Sequence, residues 1–283
     1  MISSANSGME KISESTSRGK KLAREQEEDD NKTEPEISES DFETLSLEQN
    51  LTFSYTLIAL RIMRAQFPVI DKVTVQPFIL RSQLYSCVKD RTQVDREIES
   101  LKKEKKLRVF KLNTGQDDHG IMFTEDYLMQ IGIVMRRIEA KKEDDVAVFD
   151  WFKNYVIDSK LDPSISHQEL CLLLALGGKV KDAHITVLIN AGLLTRQLVD
   201  SNMYWFAIPN IGSVLKSLLQ GRKELLSFLS RRKYKEMLMA PLEMKRFRMS
   251  MLDTRFHLRD LIGSGHLKTF NTPTGLAVRI SKD

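Results

Sequence analysis

With 283 residues, 41% hydrophobic and 29% charged, the chain can bury two or three ordinary domains and fits a soluble globular protein with a polar tail. No apolar run approaches the roughly 18 residues of a membrane helix, and the opening MISSANSGMEKISEST lacks the apolar core of a secretory signal, so no membrane partner is expected. Cys87 and Cys171 stand far apart, which argues against a disulfide framework and for a reducing compartment.

The net charge of +4 hides an asymmetry. Residues 1–50 hold 6 Lys/Arg against 13 Asp/Glu, whereas residues 215–283 hold 15 against 6. A basic C-terminal quarter suits a polyanion such as nucleic acid. On charge alone, a well-solvated basic surface explains it equally.

Residues 1–45 are rich in Ser, Glu, Asp and Lys and are predicted to be a disordered acidic tail, because they bury too little apolar area to offset ordering entropy. Within them SRGKKLAR (Ser17 to Arg24) has the form of a nuclear-import signal, although short basic clusters are common in tails. Order is predicted from Ser46, where SLEQ reads as a capping box. Leu51, Tyr55, Ile58 and Ile62 follow at helical spacing, and Pro68 closes the segment. A second helix is predicted from Pro77, with Leu80, Leu84 and Cys87 on one face. A third begins near Thr92 and carries Val94, Ile98 and Leu101. LRVFKL and HGIMFT read as two short strands, and FTEDYLMQIGIVMRRIEAKKEDD as a connecting helix. Further on, Trp151 and Phe152 fall in a helix and SHQE (Ser166 to Glu169) forms another capping box.

The helix-to-strand joint at Leu101 recurs. Aligned on Leu101, Leu188 and Leu261, the chain has Ile98, Ile185 and Leu258 three residues earlier, Lys105, Gly192 and Gly265 four later, and Leu107, Leu194 and Leu267 six later. The first two positions share a helix face and pack inward. The third ends the helix in a left-handed conformation that glycine adopts freely, and the last is the first buried strand residue. Lys105 departs from the glycine pattern and predicts local strain or a differently shaped cap. A three-helix unit running into a hairpin is the winged helix-turn-helix arrangement. The predicted fold is mainly α with small β-hairpins (α+β), as three tandem winged helices: residues 46–143 with the connecting helix, 144–209 and 210–283.

Enzyme motifs do not emerge. GSGHLK (Gly263 to Lys268) lacks the third glycine of a dinucleotide or kinase loop and ends a helix, so it reads as a cap. The five histidines, His119, His167, His184, His257 and His266, are read as standing apart from one another and from any second ligand, so no metal and no cofactor are expected.

The stretch LRSQLYSCVKDRTQVDREIESLKKEKKLRVFKL, then DHGIMFTEDY, INAGLLT, GRKELLSFLSRRKYKE and HLRDLIG, resembles the serine/threonine-protein kinase 19 family over roughly residues 77–283. The kinase in that name is not expected here, because the chain has no strand lysine in a V-A-I-K context, no H-R-D loop and no D-F-G aspartate. What the resemblance implies is a nuclear, chromatin-associated winged-helix protein that binds double-stranded DNA, with RNA as an open alternative. It further implies a scaffold role in transcription-coupled nucleotide excision repair, beside stalled RNA polymerase II and its repair factors.

The richest basic constellation lies in the third unit. Arg231, Arg232, Lys233 and Lys235 are expected on a helix, with Arg231 and Lys235 on one face. Lys245, Arg246 and Arg248 are expected on an extended segment, with the arginines on one side and Lys245, Phe247 and Met249 on the other. Together with Arg255 they are the predicted phosphate contacts, which set affinity without sequence preference; the alternative is a solvated helix face and edge strand. Lys102, Lys103, Lys105 and Lys106 read first as a helix tip favoured by the macrodipole. The methionines from Met237 to Met251 are expected mainly in the core, and the apolar middle unit is expected to pack or to bind protein.

Overall fold

The computed structural model describes residues 54–70, 73–115, 118–140 and 146–281. The predicted tail, its basic cluster and the capping box at Ser46 lie outside the described residues.

Helix α1 (Tyr55–Ala65) is capped by Ser54, whose Oγ accepts from the Leu57 N–H. Its buried stripe is Thr56, Leu60 and Met63, whereas the predicted face of Tyr55, Ile58 and Ile62 is 67, 41 and 49% exposed. Two polar clamps set this rotation. The Glu97 carboxylate accepts from Ser54 Oγ at 2.7 Å and from the Thr56 N–H at 3.2 Å. At the other end Arg64 pairs with the buried Asp126 at 2.6 Å. Apolar spacing alone pointed to the wrong stripe because a carboxylate hydrogen-bonded at one end and an ion pair at the other fix the helix.

The next helix does not start at Pro77. Strand β1 (Ile79–Leu80) pairs with the chain at Ile121 and Gly120, and helix α2 (Arg81–Cys87) follows, with Cys87 exposed. Helix α3 (Arg91–Lys103) is capped by Asp90 and buries Val94, Ile98 and Leu101, as predicted. Strands β2 (Leu107–Lys111) and β3 (His119–Phe123) form a hairpin, and helix α4 (Thr124–Glu139) follows it. The same order then repeats. Helix α5 (Ala147–Trp151) runs on into π-helical turns over Phe152–Ile157. Strand β4 (Ser164–Ser166), helices α6 (His167–Ala175) and α7 (Asp182–Asn190), and strands β5 (Leu194–Arg196) and β6 (Met203–Phe206) come next. Ser166 caps α6, but the Glu169 carboxylate goes to Lys160 at 2.9 Å. Finally helix α8 (Gly212–Ser230) leads to strand β7 (Glu236–Leu238), helices α9 (Met239–Glu243) and α10 (Thr254–Gly263), and strands β8 (Leu267–Thr272) and β9 (Gly275–Ile280).

The architecture is mixed α+β, predominantly helical, with three small antiparallel sheets. Each has the order first–third–second, β1-β3-β2, β4-β6-β5 and β7-β9-β8. In each, a strand of two or three residues enters beside the hairpin's second strand; such strands are too short to show period-two alternation. The aligned joint has one geometry in all three copies. Leu101, Leu188 and Leu261 are at most 6% exposed, and Leu107, Leu194 and Leu267 at most 1%. Lys105, Gly192 and Gly265 take φ of 57, 77 and 86°. The Lys106 and Leu193 N–H groups reach back to the Leu101 and Leu188 carbonyls at 2.9 and 3.0 Å. Lys105 therefore keeps the glycine-type cap and carries the strain of a Cβ there.

These segments are not beads on a string. One apolar cluster runs from Phe78 and Tyr127 through Phe152 and Leu188 to Leu252 and Phe256. Arg108 is buried between the Tyr127 and Phe206 rings and donates to the Ile157 carbonyl at 2.9 Å. Helix α10 lies against α2, where a Cβ on Gly263 would fall 1.6 Å from the Ser82 carbonyl oxygen, so only glycine permits the approach. Asp260, fully buried, accepts from Ser82 Oγ at 2.6 Å and from Arg222 Nε at 2.6 Å. Arg222 also reaches Asp118 at 2.7 Å. Burial pushes the Arg222 pKa down and the Asp118 pKa up, but their mutual hydrogen bonds, with those to Asp260 and Thr114, outweigh it and hold both groups charged.

Replacing Lys105 by Gly should raise Tm by about 2–4 °C, since relief of a left-handed Cβ is worth about 1 kcal/mol and the exposed Lys105–Asp158 pair contributes little. Thermal denaturation monitored by circular dichroism checks this. Gly263→Ala should cost about 3 kcal/mol in urea denaturation, because the obstacle is backbone. His257 is fully buried, against Gly221, with Nε2 2.8 Å from Ser250 Oγ. Burial lowers its pKa to about 4 against the upward pull of Asp260 and Asp253. The unfolded chain takes up this proton near 6.5, so the contribution is whole above that pH. It should fall by up to about 3 kcal/mol as pH drops towards 4, and a urea-denaturation series in which His257→Gln loses this slope checks it.

Candidate nucleic-acid interface

Helix α8 ends at Ser230, so Arg231 is its C-cap and the predicted helix face shared by Arg231 and Lys235 does not exist. Arg232 to Lys235 form a turn that reverses the chain into β7. The Lys235 N–H donates to the Arg232 carbonyl at 3.0 Å, its own carbonyl accepts from Ile280 at 3.2 Å, and its φ is 55°. Sequence alone cannot see this stop, because arginine and lysine continue a helix as readily as they cap one. The pairing of Glu236–Leu238 with Ala277–Arg279 forces the reversal.

The second stretch is a coil following α9, not a strand. Phe247 is buried while Arg246 and Arg248 point to solvent, as predicted, and Lys245 is half-buried. The alternation fails at Met249, which is 57% exposed. Met244 is 83% exposed too, while Met237 and Met239 pack on the local core, so the methionine stretch divides between core and surface. The Glu224 carboxylate holds the coil by accepting the Arg248 and Met249 N–H groups at 3.2 and 3.0 Å.

One residue that the charge pattern did not single out brings the two stretches together. The Phe228 ring has the Arg232 guanidinium 4.9 Å and the Lys245 ammonium 4.4 Å from its centroid. Its position on the last turn of α8, four residues before Arg232, was the available signal. Arg231, Arg232, Lys233, Lys235, Lys245, Arg246 and Arg248 have no ion-pair partner among the described residues. Arg255 differs: on the first turn of α10, it pairs with Glu243 at 3.3 Å. Lys268 and Arg279 face each other across β8 and β9 and are exposed. Only the hairpin register reveals them as neighbours. Arg279 lies 5.1 Å from the Phe270 centroid and 3.9 Å from Glu236.

Helix α10 itself is not available to a DNA groove. Thr254, Phe256, His257, Leu258, Asp260, Leu261 and Gly263 are all buried. The Phe256 carbonyl accepts from Gln83 at 3.1 Å, the Gly263 carbonyl from Arg91 at 2.9 Å, and Arg259 bonds Gln66. Of the lysine run at the end of α3, Lys102 pairs with Glu99 at 2.7 Å and Lys106 with Glu104 at 2.6 Å, while Lys105 reaches across to Asp158 at 2.8 Å. In the middle segment α7 buries His184, Ile185, Val187 and Leu188. One histidine does have a second ligand type beside it, contrary to the sequence reading: Cys171 Sγ lies 3.7 Å from His167 Nε2. Among the described residues no group of three metal-ligating side chains forms, and no helix is long and apolar enough to cross a membrane.

Residues 39–280 match the family model described as inactive serine-threonine protein kinase 19. This bears out the resemblance and carries it earlier in the chain than the stretch from residue 77. The human protein named Winged helix repair factor 1 is 31% identical over 205 residues, 72% of this chain and 76% of its own. The Xenopus laevis protein of that name is 31% identical over 210 residues, covering 74% and 76%. The Dictyostelium discoideum one is 27% identical over 275 residues, covering 85% and 68%. This chain belongs to the inactive serine-threonine protein kinase 19 family.

Proposed function

We propose that the chain is a non-catalytic, nuclear repair factor built of three tandem winged helices, over residues 46–143, 144–209 and 210–283, that binds double-stranded DNA without sequence preference. The third unit holds the phosphate backbone through Arg231, Arg232, Lys233, Lys235, Lys245, Arg246 and Arg248, with Arg255 at the margin. The protein acts as a scaffold in transcription-coupled nucleotide excision repair, beside stalled RNA polymerase II and its repair factors.

The observation that carries the reading is the joining of two basic stretches at Phe228, giving seven cations without carboxylate partners among the described residues. Such a concentration of like charge costs self-repulsion that a polyanion relieves. Burial of α10 removes the side chains that would enter a major groove, which favours backbone contact over base reading. The relatives' printed name and the repeated strand–helix–helix–hairpin order support the winged-helix and repair assignments. The family's description as inactive supports a role without catalysis.

A second reading, a scaffold that binds only proteins, is favoured by the middle segment. There Leu172 and Leu176 are 71 and 64% exposed, and Leu198 and Val199 stand fully in solvent.

Fluorescence anisotropy of the full chain with a labelled random-sequence duplex separates the two. Engagement of about four to six phosphates should lower affinity roughly 10²–10³-fold between about 50 and 200 mM salt. Combined Lys233→Glu, Lys245→Glu and Arg246→Glu should abolish binding. An absence of duplex binding at every salt concentration would assign the basic patch to an acidic protein partner.

A further inference from the structure

The basic surface carries one aromatic ring that packing does not use. Tyr234 is 65% exposed at the tip of the turn between α8 and β7. The other two rings there are occupied: Phe228 by Arg232 and Lys245, and half-buried Phe270 by Arg279. Among the described residues the Lys233 ammonium is the one cation over Tyr234, 5.2 Å from the centroid, and most of the residue is open to solvent. Its position is fixed by backbone. Lys235 is held left-handed between the Arg232 carbonyl and the Ile280 N–H, a conformation that costs a non-glycine residue free energy.

We propose that Tyr234 is a stacking platform for an unpaired base, so that the surface prefers DNA in which duplex passes into single strand. The inference rests on the DNA-binding reading above and adds the ligand class. Inside a continuous duplex each base is covered above and below by its neighbours, and an aromatic ring beside the phosphates finds no π-face. Where a strand is unpaired, the phosphates remain to bind the surrounding cations and the bases are free to stack. Base–aromatic stacking tolerates any sequence, in keeping with the burial of α10, whose side chains are turned away from a groove. Lys233, 5.2 Å from the same ring centroid, supplies the phosphate contact beside it, and the ring supplies only the stacking face.

The test compares two labelled DNAs with the full chain: a duplex closed by hairpin loops too short to leave stackable bases, and the same duplex with one open end and a thymine tail. The wild type should bind the tailed DNA roughly tenfold more tightly, the range expected of one stacked base. Tyr234→Ala should lose that preference and keep the affinity for the closed duplex. Tyr234→Phe should retain the preference, because the ring and not the hydroxyl does the stacking. The proposal is overturned by equal wild-type affinity for the two DNAs, by a preference that survives Tyr234→Ala, or by its loss in Tyr234→Phe, which would make the hydroxyl a phosphate donor. Closed-duplex binding that disappears with Lys233→Glu, Lys245→Glu and Arg246→Glu tests the underlying reading separately. If the wild type binds neither DNA, both fail.

Discussion

Arg222 holds two parts of the chain together that are far apart in sequence. Its guanidinium spans Asp118 at the mouth of the first hairpin and Asp260 in the middle of α10, and Asp260 in turn accepts from Ser82 on α2. A side chain only 16% exposed and shared between two carboxylates is a charged group that burial would penalise heavily if either partner were missing. The triad therefore specifies one docking of α10 on α2, and Gly263 lets the two backbones close on each other.

From that docking follows the assignment of surfaces. Helix α10 is turned inward, and its polar groups are spent on Gln83, Arg91 and Gln66. What remains outside is the turn after α8 and the coil after α9, tied to each other at Phe228 and to the body by Glu224. Both are short irregular segments held by backbone hydrogen bonds, and their cations have no carboxylate partner among the described residues. In the lysine run at the end of α3, by contrast, Lys102, Lys105 and Lys106 are paired with carboxylates. Charge density alone does not separate the two runs; partnership does.

The joint between helix and strand was readable from the chain because it is a local pattern. A buried Ile or Leu, a buried Leu, a left-handed cap and a buried strand leucine occupy fixed offsets, and every one of the three copies keeps them. The basic stretches were readable as composition and wrong as secondary structure. Arg231 and Lys235 look helical until β7 claims the residues after them. The misassigned face of α1 has a similar origin, since Tyr55, Ile58 and Ile62 form the better apolar stripe on paper. Glu97 and Asp126, contributed from elsewhere in the fold, turn the helix so that Leu60 and Met63 face in.

By itself, the sequence determined the repeat, the mixed helix-and-hairpin class, the family and the place where positive charge accumulates. These depend on offsets of a few residues and on residue type, which one chain displays directly. The tertiary structure decided which helix is covered, which cations are neutralised and which ring stays exposed. Those outcomes depend on pairs such as Ser82 with Asp260, 178 residues apart, and a contact at that separation leaves no period or spacing in the chain to be read.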